Sequence, residues 1–490
     1  MYLRLQKLIL ILLLAIFASS FSTAYLMTTT SFNPLAIFSL KGGNDNFNKF
    51  SDKLHYAYNF IKNNYIKKVD DQKLIDGAIS GMVSSLGDPY STYMDKKTAL
   101  QFKERLESSF SGIGAEVTIR NGRLTVIAPF KGSPAEKAGI LPQDQIIKVD
   151  GKSIEGLNIN EAVSKIKGPK GTKVNLEIVR PGYSNVLNIM VVRDEIPLRT
   201  VEARLDENKI GIITISLFSE KTADDFKKEL LLLEKKGLKG LIIDVRNNPG
   251  GLFPVVLKIA DELIGKEKVL LYTEDNHGRK VKYVAKKHNA KEYPIVCLIN
   301  HGSASASEIL AAALKEAGNY KLVGERTFGK GTVQSTENFS DGSNLKLTMA
   351  KWLTPKGNWI DQKGTIKGIK PDFEVKKPLY LDILPPQGIK ILRKDQTSEE
   401  IKRLQIILNV LGFSTGRTDG YFDIHTETAL KEFQKINKLP ITGYFDLSSA
   451  VKLKQSFLKF LLNKNNDVQL NFARNLLKKQ ITREEISFRN

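Results

Sequence analysis

Cysteine is almost missing from this chain of 490 residues, where Cys297 stands alone. A single thiol can form no intrachain disulfide and no cysteine-based metal site. Long apolar runs are nearly as scarce, since only the N-terminus carries one. With 41% hydrophobic and 26% charged residues overall, the composition excludes a multispanning membrane protein and leaves material for several globular cores. Negative charge is the third deficit. The 53 acidic residues face 74 basic ones, a formal net of +21, so the chain favours anionic surroundings such as envelope polymers, membrane surfaces or nucleic acid. The length exceeds one ordinary core and implies three or four domains.

The N-terminal run narrows the surroundings. Arg4 and Lys7 precede an unbroken apolar stretch over 8–17, and the small and polar Ala18-Ser-Ser-Phe-Ser-Thr-Ala24 follows. That order is an export signal. A buried core helix fits less well, because basic residues precede the run and nothing amphipathic accompanies it. Residues 1–28 are therefore expected to be a signal peptide or, if uncleaved, a single membrane anchor. Export argues against nucleic acid as a partner and favours an extracytoplasmic, cell-envelope location.

Hydrophobic periodicity divides the rest. Residues 47–105 read as an N-terminal helical segment, broken by Gly87-Asp-Pro89. Residues 106–195 read as short strands with turns, among them 115–119, 124–127, 145–149 and 174–179, with helices at 133–138 and 159–166. Residues 196–385 alternate strands (210–215, 240–245, 295–299) with helices (223–235, 255–264, 305–317), which implies an α/β core. Residues 396–455 form a small helical unit, and residues 456–490 a basic helical tail whose simplest reading is a solvated face. No internal repeat is apparent.

The segment Asn300-His-Gly-Ser-Ala-Ser-Ala-Ser-Glu-Ile-Leu310 runs from a buried strand through a Gly-containing turn into a helix. Ser305 at the helix mouth has two readings. With Glu308 three residues on it makes a capping box. Alternatively its hydroxyl is a nucleophile, with backbone N–H groups and the helix dipole stabilising an oxyanion. Ser303 and Ser307 compete for that role. A serine needs a base. His301, four residues away in the same turn, is badly placed to aim at the hydroxyl, even with Asp244 as a third member. Lys330, between two glycines and with no acidic residue from 327 to 334, suits a lysine kept neutral by burial. Gln334 shares its strand face and could orient the amine. Residues 324–330 also satisfy the first seven positions of a phosphate loop, but Gly331 replaces the required hydroxyl and a strand follows where a helix is needed. The turn Asp244-Val-Arg-Asn-Asn-Pro-Gly-Gly251 supplies further backbone N–H groups.

Taken together, Gly302-Ser-Ala-Ser-Ala-Ser-Glu308, Phe328-Gly-Lys-Gly-Thr-Val-Gln334 and Asp244-Val-Arg-Asn-Asn-Pro-Gly-Gly251 resemble the carboxyl-terminal processing peptidases, the tail-specific serine proteases. The resemblance implies a crotonase-like α/β peptidase core with Ser305 as nucleophile, Lys330 as general base and Gln334 as its orienting partner. Gly251 and Ala306, with Gly250 as a further candidate, would donate to the oxyanion; no metal or other cofactor is implied. The β-rich region resembles an inserted PDZ domain whose loop Ser111-Gly-Ile-Gly114 would hold a substrate's C-terminal carboxylate. The N-terminal helical segment often mediates dimerisation in such proteins, which implies a homodimer. Leu404-Gln405, Asp419-Gly-Tyr-Phe422, Phe433-Gln434 and Thr442-Gly443 resemble a three-helix peptidoglycan-binding domain. His425 there has no companion ligands and is read as a surface residue.

The expectation is thus an exported serine endopeptidase that cleaves proteins near their C-termini and is held at peptidoglycan. A catalytically silent scaffold for peptide tails and glycan is the alternative. A wall-lytic enzyme would need a carboxylate pair or zinc ligands that the sequence does not display.

Overall fold

A computed structural model describes residues 45–107, 109–287, 289–362, 364–387 and 390–487. The expected signal or anchor at 1–28 lies outside the described residues. The chain forms two compact units that divide between Ser85 and Leu86. The described part of the first is two helices, Asp45–Asn64 and Asp71–Ser84, the second capped by Asp70, which accepts the Lys73 N–H at 3.2 Å. Phe50, Tyr56 and Phe60 are exposed on the first of these helices and Ile66 in the turn between them. No helix among the described residues is long and apolar enough to cross a membrane. The segment expected as helical over 47–105 therefore ends its run early. Residues 86–105 belong to the second unit, where the strand Thr92–Met94 pairs with Asn344–Leu353 and helix Lys96–Leu106 follows.

The second unit is built around a six-stranded sheet in the order 201–205, 210–215, 240–244, 295–299, 321–324, 373–374. The first pair is antiparallel and all the others are parallel. The strands Gly240–Asp244 and Ile295–Ile299 are buried at every residue, as central parallel strands covered on both faces must be. Alternate residues serve opposite faces. Leu241, Ile243 and Cys297 join one large core with helices Thr222–Lys235, Phe253–Leu263 and Ala306–Glu316. Ile212, Ile242, Val296 and Leu298 meet Leu470, Ala473 and Leu477 of helix Val468–Ser487. The tail expected to be solvated is helical but is a cover for the back of the sheet. Its apolar residues are spaced by three and four, and Lys478 and Lys479 lie on the exposed side, while Arg474 pairs with Asp206.

The β-rich region is a sheet in the order 115–120, 123–129, 145–149, 173–179, 187–192 over a core that includes Leu124, Ile146, Leu176 and Ile178. A two-stranded ribbon, Ser109–Gly112 with Asp194–Pro197, closes its neck and makes it an insertion. Helices Glu399–Val410, Ile424–Ile436 and Leu447–Leu462 pack around Phe422, Phe433, Phe445 and Phe457. The third helix runs past the expected boundary at 455 because Phe457 belongs to this core. A short internal repeat emerges here, against expectation. Gly-Tyr-Phe-Asp recurs at 420–423 and 443–446. In each copy the Asp caps a helix, and the Gly N–H donates to a buried glutamine, Gln405 or Gln434, at 2.9 and 3.0 Å.

Candidate active site

The turn after Ile295–Ile299 separates its three serines by burial. Ser303 and Ser307 are fully buried, and their hydroxyls donate to the carbonyls of Val245 and Asn248 at 2.8 Å each. They stitch this turn to the neighbouring loop 245–251 and offer nothing to a substrate. Ser305 is partly exposed. Its backbone sits at φ 53°, ψ −114°, a conformation that costs a residue with a side chain about 1–3 kcal/mol. Glu308 holds it there by accepting the Ser305 N–H at 2.9 Å, while the Ser305 carbonyl accepts the Glu308 N–H at 2.8 Å.

Glu308 does more than cap. Its carboxylate also accepts the Lys330 N–H at 2.8 Å, the Gly329 N–H at 2.6 Å and the Thr327 hydroxyl at 2.6 Å. One buried side chain thus pins the serine turn and the lysine loop together. Burial pushes its pKa above the usual carboxylate range, against the pull of those four donors. The capping reading and the catalytic reading of this segment are therefore not rivals, since the cap residue is the tie between the two elements.

Lys330 precedes the hairpin of Thr332–Asn338 with Asn344–Leu353. Its carbonyl accepts the indole N–H of Trp352 at 2.9 Å, so the backbone is fixed on both sides. The amine lies 4.8 Å from the centre of the Tyr90 ring. Burial pushes its pKa down to about 8, Lys346 adds to the shift, and Asp88 and Glu308 oppose it. The neutral form, negligible for an ordinary lysine, becomes accessible near neutral pH. Gln334 donates from Nε2 to Thr332 at 2.9 Å and to Thr348 at 3.2 Å. Among the described residues, no hydrogen bond joins Ser305 Oγ to Lys330 Nζ or Gln334 to that amine.

The loop 245–251 comes up beside the serine. A Cβ on Gly250 would stand 2.9 Å from Ser305 Cβ, and one on Gly251 would stand 2.1 Å from the Phe218 carbonyl oxygen, so only glycine allows this approach. The Gly250 N–H is spent on Asn248 Oδ1 at 2.8 Å, which removes it as an oxyanion donor. The N–H groups of Gly251 and Ala306 carry no hydrogen bond among the described residues.

His301 is exposed, and Asp244 is held by Arg246 at 2.7 Å, so a Ser-His-Asp arrangement is not assembled. The stretch after Lys330 is a strand and not a helix, which excludes the phosphate loop. In the inserted domain, Ser111 lines a groove of about 740 Å³ together with Phe110, Val163 and Lys167. Ile113 enters the domain core, and Gly114, at φ 74°, packs against Ser133. Sequence reasoning missed Asp88, Tyr90 and Thr348. Gly87-Asp-Pro89 read only as a break, and no spacing signal connects Asp88 to Thr348, 260 positions away, whose hydroxyl it accepts at 2.6 Å.

Residues 209–375 match Peptidase family S41. Residues 27–98 match the activating protease CtpB N-terminal domain, residues 125–180 a PDZ domain and residues 397–453 a peptidoglycan binding domain. The carboxy-terminal processing protease CtpB of Bacillus subtilis (strain 168) is 47% identical over 428 residues, 87% of this chain and 88% of that protein. CtpA of the same strain is 43% identical over 475 residues, 97% of this chain and 99% of that one. Among solved structures, a photosystem II D1 C-terminal processing protease is 30% identical, covers 66% of this chain and 86% of its own, and has a TM-score of 0.40. The chain belongs to the carboxy-terminal processing proteases, serine-type peptidases of family S41 with a PDZ domain and a peptidoglycan-binding domain.

Proposed function

We propose that this chain cleaves envelope proteins near their C-termini through an acyl-enzyme on Ser305. Lys330, neutral in the competent state, takes the Ser305 hydroxyl proton as Oγ bonds to the scissile carbonyl carbon. The Gly251 and Ala306 N–H groups donate to the oxygen that becomes negative. As the C–N bond breaks, the lysine returns the proton to the leaving amine. Water then bonds to the acyl carbon as Lys330 removes its proton, and the lysine returns that proton to Ser305 Oγ as the acyl C–O bond breaks and the new C-terminal acid leaves. The observation that carries this reading is the Glu308 carboxylate, which accepts the backbone N–H of both Ser305 and Lys330. The Oγ to Nζ bond forms when a substrate fills the cleft, since catalytic hydrogen bonds tighten in the Michaelis complex.

The inserted domain would take the substrate tail. Strand Ala115–Arg120 is the edge of its sheet, open to a peptide added as one more strand, with the loop Ser111-Gly-Ile-Gly114 that precedes it receiving the terminal carboxylate. The peptidoglycan-binding region would hold the enzyme at the wall, and residues 1–28, if left uncleaved, would add a membrane anchor. Exposed Phe50, Tyr56, Phe60 and Ile66 support pairing of the first unit with a second copy.

The test is hydrolysis of a protein substrate with a free C-terminus by purified wild type, Ser305→Ala and Lys330→Ala. Loss of cleavage in both variants, with tail binding and peptidoglycan pelleting retained, supports the proposal. Wild type that binds both ligands and cleaves nothing would identify the silent scaffold instead.

A further inference from the structure

We propose that the segment 88–91 is a wall of the catalytic centre, in which Tyr90 seats the Lys330 amine and Asp88, acting through Thr348, sets which end of the Gln334 amide faces that amine. The inference rests on the assignment of Lys330 as base and adds two positioning residues to it.

The direction of the hydrogen-bond chain follows from what each group can do. Asp88 accepts three bonds. Oδ1 takes the Tyr90 N–H at 3.0 Å, and Oδ2 takes the Ser91 hydroxyl and the Thr348 hydroxyl at 2.6 Å each, while those donors hold its pKa below the usual value. An ionised carboxylate only accepts, so the single hydroxyl proton of Thr348 goes to Asp88. Thr348 can then offer Gln334 only a lone pair. Gln334 must present its amino end there, and Nε2 lies 3.2 Å from the Thr348 oxygen, its second proton going to Thr332 at 2.9 Å. Both N–H groups of the amide are consumed, and Oε1 remains as the acceptor. That is the end a neutral lysine needs, because an amine that must aim its lone pair at a serine has N–H bonds to be held.

Tyr90 acts on the same amine from another side. Its ring face, 4.8 Å from Nζ, excludes water from that side and attracts the ammonium that forms when Lys330 takes the serine proton. The other charged groups that act on Lys330 or Tyr90 are Lys346 of the hairpin, Glu308 of the helix and Asp361 of the loop after Trp359. The backbone of 88–91 is rigidly placed for both tasks. The Thr348 N–H donates to Ser91 Oγ at 3.0 Å, and the following strand Thr92–Met94 pairs with the hairpin.

The test uses the full chain, with kcat and KM measured across pH 6 to 10 and folding checked by thermal unfolding. Asp88→Asn is nearly isosteric but supplies an N–H where Oδ2 accepted, so it reverses the chain and turns the Gln334 carbonyl away. A fall in kcat of about tenfold to a hundredfold is expected, with KM and unfolding temperature near wild type. Thr348→Val should lower kcat similarly and Thr348→Ser should rescue it. Tyr90→Ala should move the acid limb of kcat/KM to higher pH, because the water it admits favours the ammonium by more than the lost ring contact disfavours it, and Tyr90→Phe, which keeps the ring face, should restore it. If Lys330→Ala retains activity, the assignment of the base fails and this inference with it. If Lys330→Ala is inactive while Asp88→Asn and Tyr90→Ala match wild type in kcat and pH profile, the inference alone is overturned.

Discussion

Lys330 and Arg246 each follow the approach of a core strand or loop to the active-site rim, and each is a cation largely withdrawn from water. Arg246 is surrounded by acceptors. Asp244 takes two of its bonds at 2.9 and 2.7 Å, Asp467 takes two at 3.0 and 2.7 Å, and Gln469 takes one at 2.9 Å. Its pKa is raised accordingly, since those partners outweigh burial. Lys330 forms no ion pair through its amine among the described residues and faces an aromatic ring, and burial drives its pKa down to about 8. The cost of desolvation acts on both, so the partners decide whether a buried cation becomes a strut or a base. The difference also separates two tasks, one at the end of an interior strand of the six-stranded sheet and one at the start of the hairpin 332–353. Arg246 ties the C-terminal helix to the loop that ends at Gly251, while the Lys330 amine has no ion pair among the described residues, as the proposed base requires.

Lys330→Met should break the comparison most sharply. Hydrolysis should fall by on the order of a thousandfold or more, yet the protein should become more stable near neutral pH. The folded pKa, about 8, lies below the ordinary 10.5 of an unfolded lysine, so the unfolded state binds more protons. The penalty is fully present below pH 8 and disappears as pH rises through 10.5. Removing the amine should add about 1–3 kcal/mol at pH 7, a gain that vanishes toward pH 10.5. Urea unfolding at both pH values measures it. A stability unchanged or lowered at pH 7 would show that Lys330 is held as an ordinary paired cation.

Asp467→Ala should do the reverse. Arg246 keeps Asp244 but loses two bonds, and the back-face helix loses the acceptor of its Leu470 N–H at 3.0 Å. A loss of about 2–4 kcal/mol is expected at pH 7. Hydrogen bonds from Arg246 hold the Asp467 pKa below 3.8 despite burial. Its contribution is therefore present above pH 3.8 and fades as pH falls through the lower folded value. The gap between wild type and variant in urea unfolding should close in acid. Adding Arg246→Met to Asp467→Leu should not recover the loss, because Asp244, nearly buried, would then lack the guanidinium that pairs with it at 2.7 Å.

The two sites also differ in how much of them could be read from the sequence. Ser305, Lys330 and Gln334 lie in short segments whose residue types imply acid–base chemistry, and the strands 210–215 and 295–299 end where hydrophobic periodicity places them. Arg246 with Asp467 was out of reach, since the partners are 221 positions apart and neither segment carries a motif that demands the other. The signal for the back-face helix was present but overruled. Leu470, Ala473 and Leu477 repeat at helical spacing, while the basic residues around them suggested a solvated surface. Charge on one side of a helix says nothing about its other side.

Glu308→Gln sharpens the contrast from the side of positioning. Its carboxylate serves four donors, and an amide keeps the volume but turns one acceptor into a donor facing N–H groups. A decrease in kcat of about tenfold to a hundredfold is expected, with cleavage retained at a measurable level because Ser305 and Lys330 both remain. Full activity would mean that the serine turn keeps its conformation without this tie.

The smallest effect belongs to Lys346, which touches neither substrate nor serine. As a second cation it makes the charged form of Lys330 less favourable, so wild-type kcat/KM should rise with pH along an acid limb near 8, about tenfold per unit below it. Lys346→Gln removes that repulsion, and Asp88 and Glu308 then act with less opposition to favour the ammonium. The limb should move to higher pH, and kcat/KM at pH 7 should drop by less than about tenfold while the plateau above the limb is unchanged. Profiles of both proteins from pH 6 to 10 decide it. A limb that moves to lower pH would mean that Lys346 steadies the ammonium by organising its acidic neighbours, and Lys330 would then resemble Arg246 more than the absence of an ion pair suggests.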